Sequence, residues 1–254
     1  MKAPPAPGLS KEQYPTMWGH DSHTFESNGD YQWMSEQIGD GSVLEIGCGI
    51  GLATNRLARR GALMVIEHNH HCIEETEKYL ASAGVVTQRL PQMGGSAKPG
   101  AVPLLEADVF DLSPSQHQAV LDFNPKLVVC WLIGSYSDAV QRRSPGVPRH
   151  EAVALYREEL ENAIAQLAST LPSVQGIHYV FRIQMPWNKV PEGQIETARM
   201  FNDYVFPGTS FATSKDIVAF RKWNVQDQAA GIVYATTEAI EGAIPCLVSV
   251  LGTR

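Results

Sequence analysis

The sequence predicts an α/β protein built on an open, mostly parallel sheet, and three observations predict it. A short apolar strand, Val43–Ile46, breaks into glycines at alternate positions, Gly47, Gly49 and Gly51, and a helical run over residues 52–60 follows at once. A second apolar strand, residues 63–66, ends in an acid, Glu67, twenty residues after Gly47. Strand and helix signals then alternate along the chain, the pattern of βαβ units. Strand, glycine turn, helix brings backbone N–H groups and a helix N-terminus up to a ligand. The dinucleotide fingerprint would place its third glycine at position 52, but that residue is Leu52.

In chain order, residues 1–13 carry no regular signal. Residues 14–29 crowd Tyr14, Trp18, His20, Asp21, His23 and Phe25 into a stretch without clear periodicity. That stretch reads as a loop: a lid over a site, or an anchor whose aromatics pack on the core. A helix fits residues 30–38, with Tyr31, Met34 and Ile38 at spacings of three and four, and Gly39 and Gly41 end it. After the second strand, a helix over 72–82 sets Ile73, Thr76 and Tyr79 or Leu80 on one face. Residues 91–103 are rich in Pro and Gly and read as a loop before the third strand, residues 104–107, which Asp108 follows. A helix over 114–123 leads to a wholly apolar fourth strand, residues 127–133, as suits a central parallel strand. The longest helix covers 148–171. A fifth strand covers 177–183, and a further helix covers 193–204. Residues 218–223, 232–237 and 246–251 read as β, the last two as an antiparallel pair. The organisation expected is an N-terminal segment, 1–29, and a single domain, 30–254.

With 254 residues and 44% hydrophobic content the chain supports a sizeable core. Its net charge of −7 gives no general attraction to nucleic acid or to an anionic membrane. The four cysteines, Cys48, Cys72, Cys130 and Cys246, form no C-x-x-C pair and lie in apolar segments, so they read as reduced thiols of a cytoplasmic protein. Residues 1–8 lack the apolar centre of a signal peptide, and no apolar run is long enough to span a bilayer.

Glu45-x-Gly47-x-Gly49-x-Gly51 resembles motif I of the class I S-adenosylmethionine (SAM) dependent methyltransferases, and residues 30 to 183 resemble their core. The resemblance implies a Rossmann-like three-layer sandwich, with a mostly parallel seven-stranded sheet and an antiparallel C-terminal strand. It implies SAM as cofactor, released as S-adenosylhomocysteine (SAH). Glu45, Gly47, Cys48, Gly49 and Gly51 would lie under the methionine part, Glu67 on the ribose, and Asp108 with the Val109 amide on the adenine. His68 and Trp131 would flank the base. A carboxylate at position 67 also suits ribose hydroxyls on its own chemistry, since it accepts both hydrogens.

The end of the fourth strand, Cys130 to Tyr136, lacks the Asn/Asp-Pro-Pro-aromatic motif of DNA amino-methyltransferases. Together with the acidic charge, this favours a small-molecule acceptor, with a homodimer as an assembly the sequence allows. Tyr136 is the catalytic candidate, orienting an acceptor or serving as a weak base; packing at a strand end explains it equally well. Tyr14, Trp18, His23 and Trp187 are candidates to line the acceptor pocket. His68, His70 and His71 invite a metal reading, but adjacent rings at a helix start point apart, so no metal is expected. Cys48 lacks an evident base. Two rivals share the fold: an aminopropyl transferase or other non-methylating SAM user, and a non-catalytic SAM-binding subunit or sensor. The first would be expected to carry an acid at the fourth strand's end, where this chain has Trp131 to Tyr136.

Overall fold

The computed structural model describes residues 9–91, 98–132, 134–223 and 241–254. The described residues form an eight-stranded sheet between two helical layers. The strands are β1 (Val43–Ile46), β2 (Leu63–Glu67), β3 (Thr87–Leu90), β4 (Val102–Glu106), β5 (Leu127–Trp131), β6 (Gly176–Pro186), β7 (Val218–Lys222) and β8 (Ala243–Thr253). Their spatial order is β3-β4-β2-β1-β5-β6-β8-β7, parallel throughout except for β8, which runs antiparallel to both of its neighbours. This is a Rossmann-like α/β fold with an antiparallel C-terminal strand.

Every residue of β1, β2 and β5 is buried, as a parallel strand covered on both faces requires. The side-chain alternation of β1 divides its residues between two cores. Val43 packs with helices α1 (Tyr14–Ser27), α2 (Asp30–Glu36), α3 (Leu52–Ala58) and α4 (His70–Ser82). Leu44 and Ile46 pack with α5 (Pro114–Phe123), α6 (Ser137–Arg143), α7 (Arg149–Ser169) and α8 (Val190–Met200). Local chemistry sets the boundaries. Ser113 and Gln116 form a reciprocal capping box at the start of α5, and Asn124, at φ 58°, ends it in the left-handed region.

Three expectations are corrected. The stretch from Tyr14 is helix α1, not a loop. Its buried positions, Pro15, Gly19, Asp21, Ser22 and Phe25, are mostly small or polar, so no apolar stripe marks it. Tertiary partners hold it. Phe25 stacks on Trp223 at 5.1 Å, Ser22 Oγ bonds the Tyr31 hydroxyl at 2.8 Å, and Asp21 pairs with Arg182 at 3.4 Å. The sheet has eight strands rather than seven, because Thr87–Leu90 adds a polar parallel edge beside β4. Helix α6 fills a stretch with no assigned element, its first turn carrying Asp138 and its last Arg142 and Arg143, in accord with the helix dipole. The expected strand at 232–237 lies outside the described residues; among these, β8 pairs antiparallel with β6 and β7.

Candidate functional site

The chain order turns back on itself between β1 and β5. From β1 the chain passes through α3 to β2 on one side, and from β4 it returns through α5 to β5 on the other. Ligands of open α/β sheets bind outside the carboxyl ends of the strands at such a switch point. There the structure opens a crevice of two contiguous compartments, which share Ile46, Gly47, Glu67, His68 and Gly134.

The glycine turn forms the floor. Gly47, Gly49 and Gly51 all have positive φ, at 83°, 57° and 91°. Gly49 is needed on a second count: a Cβ there would stand 2.1 Å from Trp18 Nε1. The atom pressed onto this glycine therefore belongs to α1. The same helix brings Tyr14 over Gly134, whose added Cβ would lie 2.8 Å from the tyrosine hydroxyl. Tyr14 and Trp18 thus form one wall of the first compartment.

Glu67, at the end of β2, is buried and lines both compartments. Its Oε1 accepts from the Asn69 amide at 2.8 Å, and its Oε2 faces the Cys48 thiol at 3.9 Å. Thr76 Oγ1, from α4, donates to Cys48 Sγ at 3.2 Å and approaches the Gly49 carbonyl at 3.4 Å, which ties the turn to that helix. Burial pushes the Cys48 thiol well above its usual range, so it stays protonated and serves as a donor rather than a nucleophile. Asn69 caps α4 through the His71 amide and donates to the Lys11 carbonyl, fastening the segment before α1 to the crevice rim.

The second compartment holds Asp108 and Val109, beyond β4, together with Tyr156 from α7. Asp108 is exposed and accepts from the Phe110 amide at 3.1 Å. Burial raises the Tyr156 phenol, so it is a neutral donor. His68 Nε2 meets Ser135 Oγ at 3.2 Å, and its ring packs edgewise on Tyr136 at 5.4 Å. The Tyr136 hydroxyl accepts from Arg142 at 3.2 Å. Leu132, just past β5, sits at φ 58°, a left-handed conformation that L side chains rarely adopt, and lines the first compartment.

Trp131 also lines that compartment, and its indole is held from behind. Its Nε1 donates to His178 Nδ1 at 2.8 Å, and His178 Nε2 meets Ser249 Oγ at 2.7 Å, a chain across β5, β6 and β8. With Nδ1 accepting, the ring proton belongs on Nε2 and is donated to Ser249. Burial lowers His178 to about 3, below the ordinary value of 6.5. The neutral ring therefore stabilises the fold fully above pH 6.5, and this contribution fades as the pH falls toward 3, because only the unfolded chain takes up the proton. His178→Gln should flatten the acid limb of stability against pH by up to about 1.4 kcal/mol per pH unit in that window. Urea titrations between pH 7 and 4 check this; an unchanged acid limb removes His178 as its source.

The structure thus brings Gly47, Gly49, Glu67, His68, Asp108, Val109, Trp131, Tyr14 and Trp18 to one crevice. Glu45 lies at the foot of the turn, where burial raises it to about 8 and its Oε2 has no hydrogen-bond partner among the described residues. Tyr136 stands behind Ser135 and His68. His23 is exposed on the outer side of α1, in a surface groove with His20 and His71, and Trp187 lies beyond β6 with Lys222 Nζ 4.9 Å from its ring centre. The sequence reading missed Tyr156, Asn69 and Ser135 as site residues. Tyr156 stands within the apolar stripe of the longest helix, which hides it as core. Among the described residues, no group of three or more His, Cys, Asp or Glu converges to hold a metal.

No protein-family model matches the chain, and no curated protein matches it. Solved structures that superimpose on it include the N-methyltransferase NodS from Bradyrhizobium japonicum, in complex with SAH. It is 12% identical, with 90% of this chain and 87% of that one covered and a TM-score of 0.44. Magnesium protoporphyrin IX methyltransferase ChlM from Synechocystis, with bound SAM, is 12% identical over 96% of this chain and 86% of that one, with a TM-score of 0.44. TrmN from Thermus thermophilus is 10% identical over 88% of this chain and 48% of that one, with a TM-score of 0.48. These are likenesses of overall shape, at identities that leave function to be argued from this chain's own residues.

Proposed function

We propose that the chain is a SAM-dependent methyltransferase acting on a small molecule. The observation that carries the reading is the convergence of the glycine turn, Glu67 and Asp108 on one crevice at the β1–β5 switch point. The donor set fits a nucleoside. Among the described residues Glu67 Oε2 has only a distant thiol as partner, which leaves capacity for ribose hydroxyls. Asp108, exposed at the crevice, suits an exocyclic amino group, and the Val109 amide a ring nitrogen. Gly47 opens onto free space, with nothing within 4 Å of an added Cβ, so a ligand can approach its backbone. His68 and Trp131 would flank the ligand, and Cys48, Gly49 and Gly51 shape the turn beneath its methionine part. Glu45 supports the turn from within the core.

When bound, SAM supplies an electrophilic methyl group on a sulfonium. The protein's share is placement and electrostatics. The carboxylates Glu67 and Asp108 bind and orient the nucleoside, and Trp131, fixed by His178, keeps one wall rigid. Tyr156 and Ser135 stand where an acceptor would be oriented, the Tyr156 phenol as a donor, and Tyr136 would act from behind them through His68. Helix α1 is the cover: residues 1–29 act as a lid on the domain of residues 30–254, with Trp18 and Tyr14 excluding water from the crevice. Trp18 rests on Gly49, so admission of the methionine part requires α1 or the indole to shift. The reduced state of all four cysteines supports a cytoplasmic protein.

Mass spectrometry of the purified protein for co-purifying SAM or SAH tests the cofactor, and hydrogen exchange tests the cover. Residues 14–27 should exchange measurably without ligand and become protected when SAH is added. Full protection before addition, unchanged by it, would make α1 a structural anchor only.

A further inference from the structure

A second groove adjoins the crevice and is built to a different chemistry. It lies between α6 and α7, has a cavity volume of about 260 Å³, and meets the first compartment at Ser135, which lines both. The α6 wall presents Ser137, Asp138 and Gln141, and the α7 wall presents Arg149, with Val140 and Val153 between them. The walls therefore carry opposite charges over an apolar strip. Arg149 is the first residue of a 21-residue helix, whose positive dipole end lies on this side with Glu151 in the same first turn.

We infer that this groove binds a zwitterionic molecule of the amino-acid class, its carboxylate toward Arg149 and its ammonium toward Asp138. The inference rests on the reading of the crevice as the cofactor site in one respect: it makes this molecule the methyl acceptor, held beside Ser135 at the junction. Neutral aromatic acceptors and nucleic-acid chains do not match a short groove with one charge of each sign.

Saturation-transfer NMR on the full chain, with and without SAH, tests the binding directly. The probes are the twenty standard amino acids and, for each that binds, the amine lacking its carboxyl group and the acid lacking its amino group. At least one amino acid should bind, with its matched amine and acid weaker by about tenfold or more, as loss of a charged hydrogen bond implies. Asp138→Asn and Arg149→Gln should each weaken binding by a similar factor, Arg149→Lys should retain most of it, and SAH affinity measured by calorimetry should not change in any of them. Binding of no amino acid, equal binding of the matched amine or acid, or variants that bind like the wild type would overturn the inference. Failure of SAH to bind the wild-type protein would overturn the cofactor reading and the acceptor role that rests on it, and leave the amino-acid site standing, because that measurement does not need SAH.

Discussion

A Gly49→Ala protein should melt lower by about 2–8 °C and lose most of its affinity for SAH. Two costs combine. The residue sits at φ 57°, where a Cβ costs ~1–2 kcal/mol, or a few degrees for a domain of this size. The new carbon would also lie 2.1 Å from Nε1 and 2.5 Å from Cδ1 of Trp18, so the indole must leave the turn and loosen α1. The two costs separate in a double-mutant cycle. Adding Trp18→Ala to Gly49→Ala should recover the steric part and leave the backbone part, a coupling of about 0.5–3 kcal/mol. Additive effects of the two substitutions, or a Gly49→Ala protein with unchanged melting and affinity, would show that α1 is not seated on the turn.

Glu67→Ala should weaken SAM and SAH binding by about ten- to a hundredfold, the ~1.5–3 kcal/mol of hydrogen bonds to a charged acceptor. The comparison is Cys72→Ala, a fully buried residue of the neighbouring helix that lines neither compartment. It should cost stability through the lost packing and leave affinity nearly unchanged. The acid has a structural duty too, since its Oε1 accepts from the Asn69 amide at the start of α4. Glu67→Gln keeps an oxygen for that amide while removing the charge, and should fall between wild type and Glu67→Ala in affinity. Equal affinity in a folded Glu67→Ala protein would remove the acid from the site.

The central strands and their turn were legible because each signal there is local. Val43–Ile46 and Pro114–Phe123 have the bounds that periodicity and capping residues indicate. Glu67 was legible because the fold fixes its spacing from the glycine turn, and Asp108 because the family resemblance marks the acid just past the third strand. What stayed hidden depends on partners distant in sequence. Helix α1 buries Asp21 because Arg182 waits 161 residues away, and Gly19 because Ile50 packs on it. Neither pairing leaves a mark in the local pattern. Strand β3 is Thr-Gln-Arg-Leu, polar because it pairs with β4 alone at the sheet edge, and it carries no strand signal. At the site, the strand end points to Tyr136, whereas the tyrosine that lines the crevice beside Tyr14 is Tyr156, twenty positions on in an ordinary amphipathic helix. His23 and Trp187 illustrate the converse: residue types that suit a pocket, set by their elements on other surfaces.

Calorimetric titration of the full chain with SAH, SAM and NAD tests the cofactor assignment most directly. Leu52 in place of the third dinucleotide glycine, Glu45 before the turn, and Glu67 with Asp108 in the crevice together predict that SAM and SAH bind and NAD does not. Tight binding of NAD with no heat from SAM or SAH would contradict the account at its base.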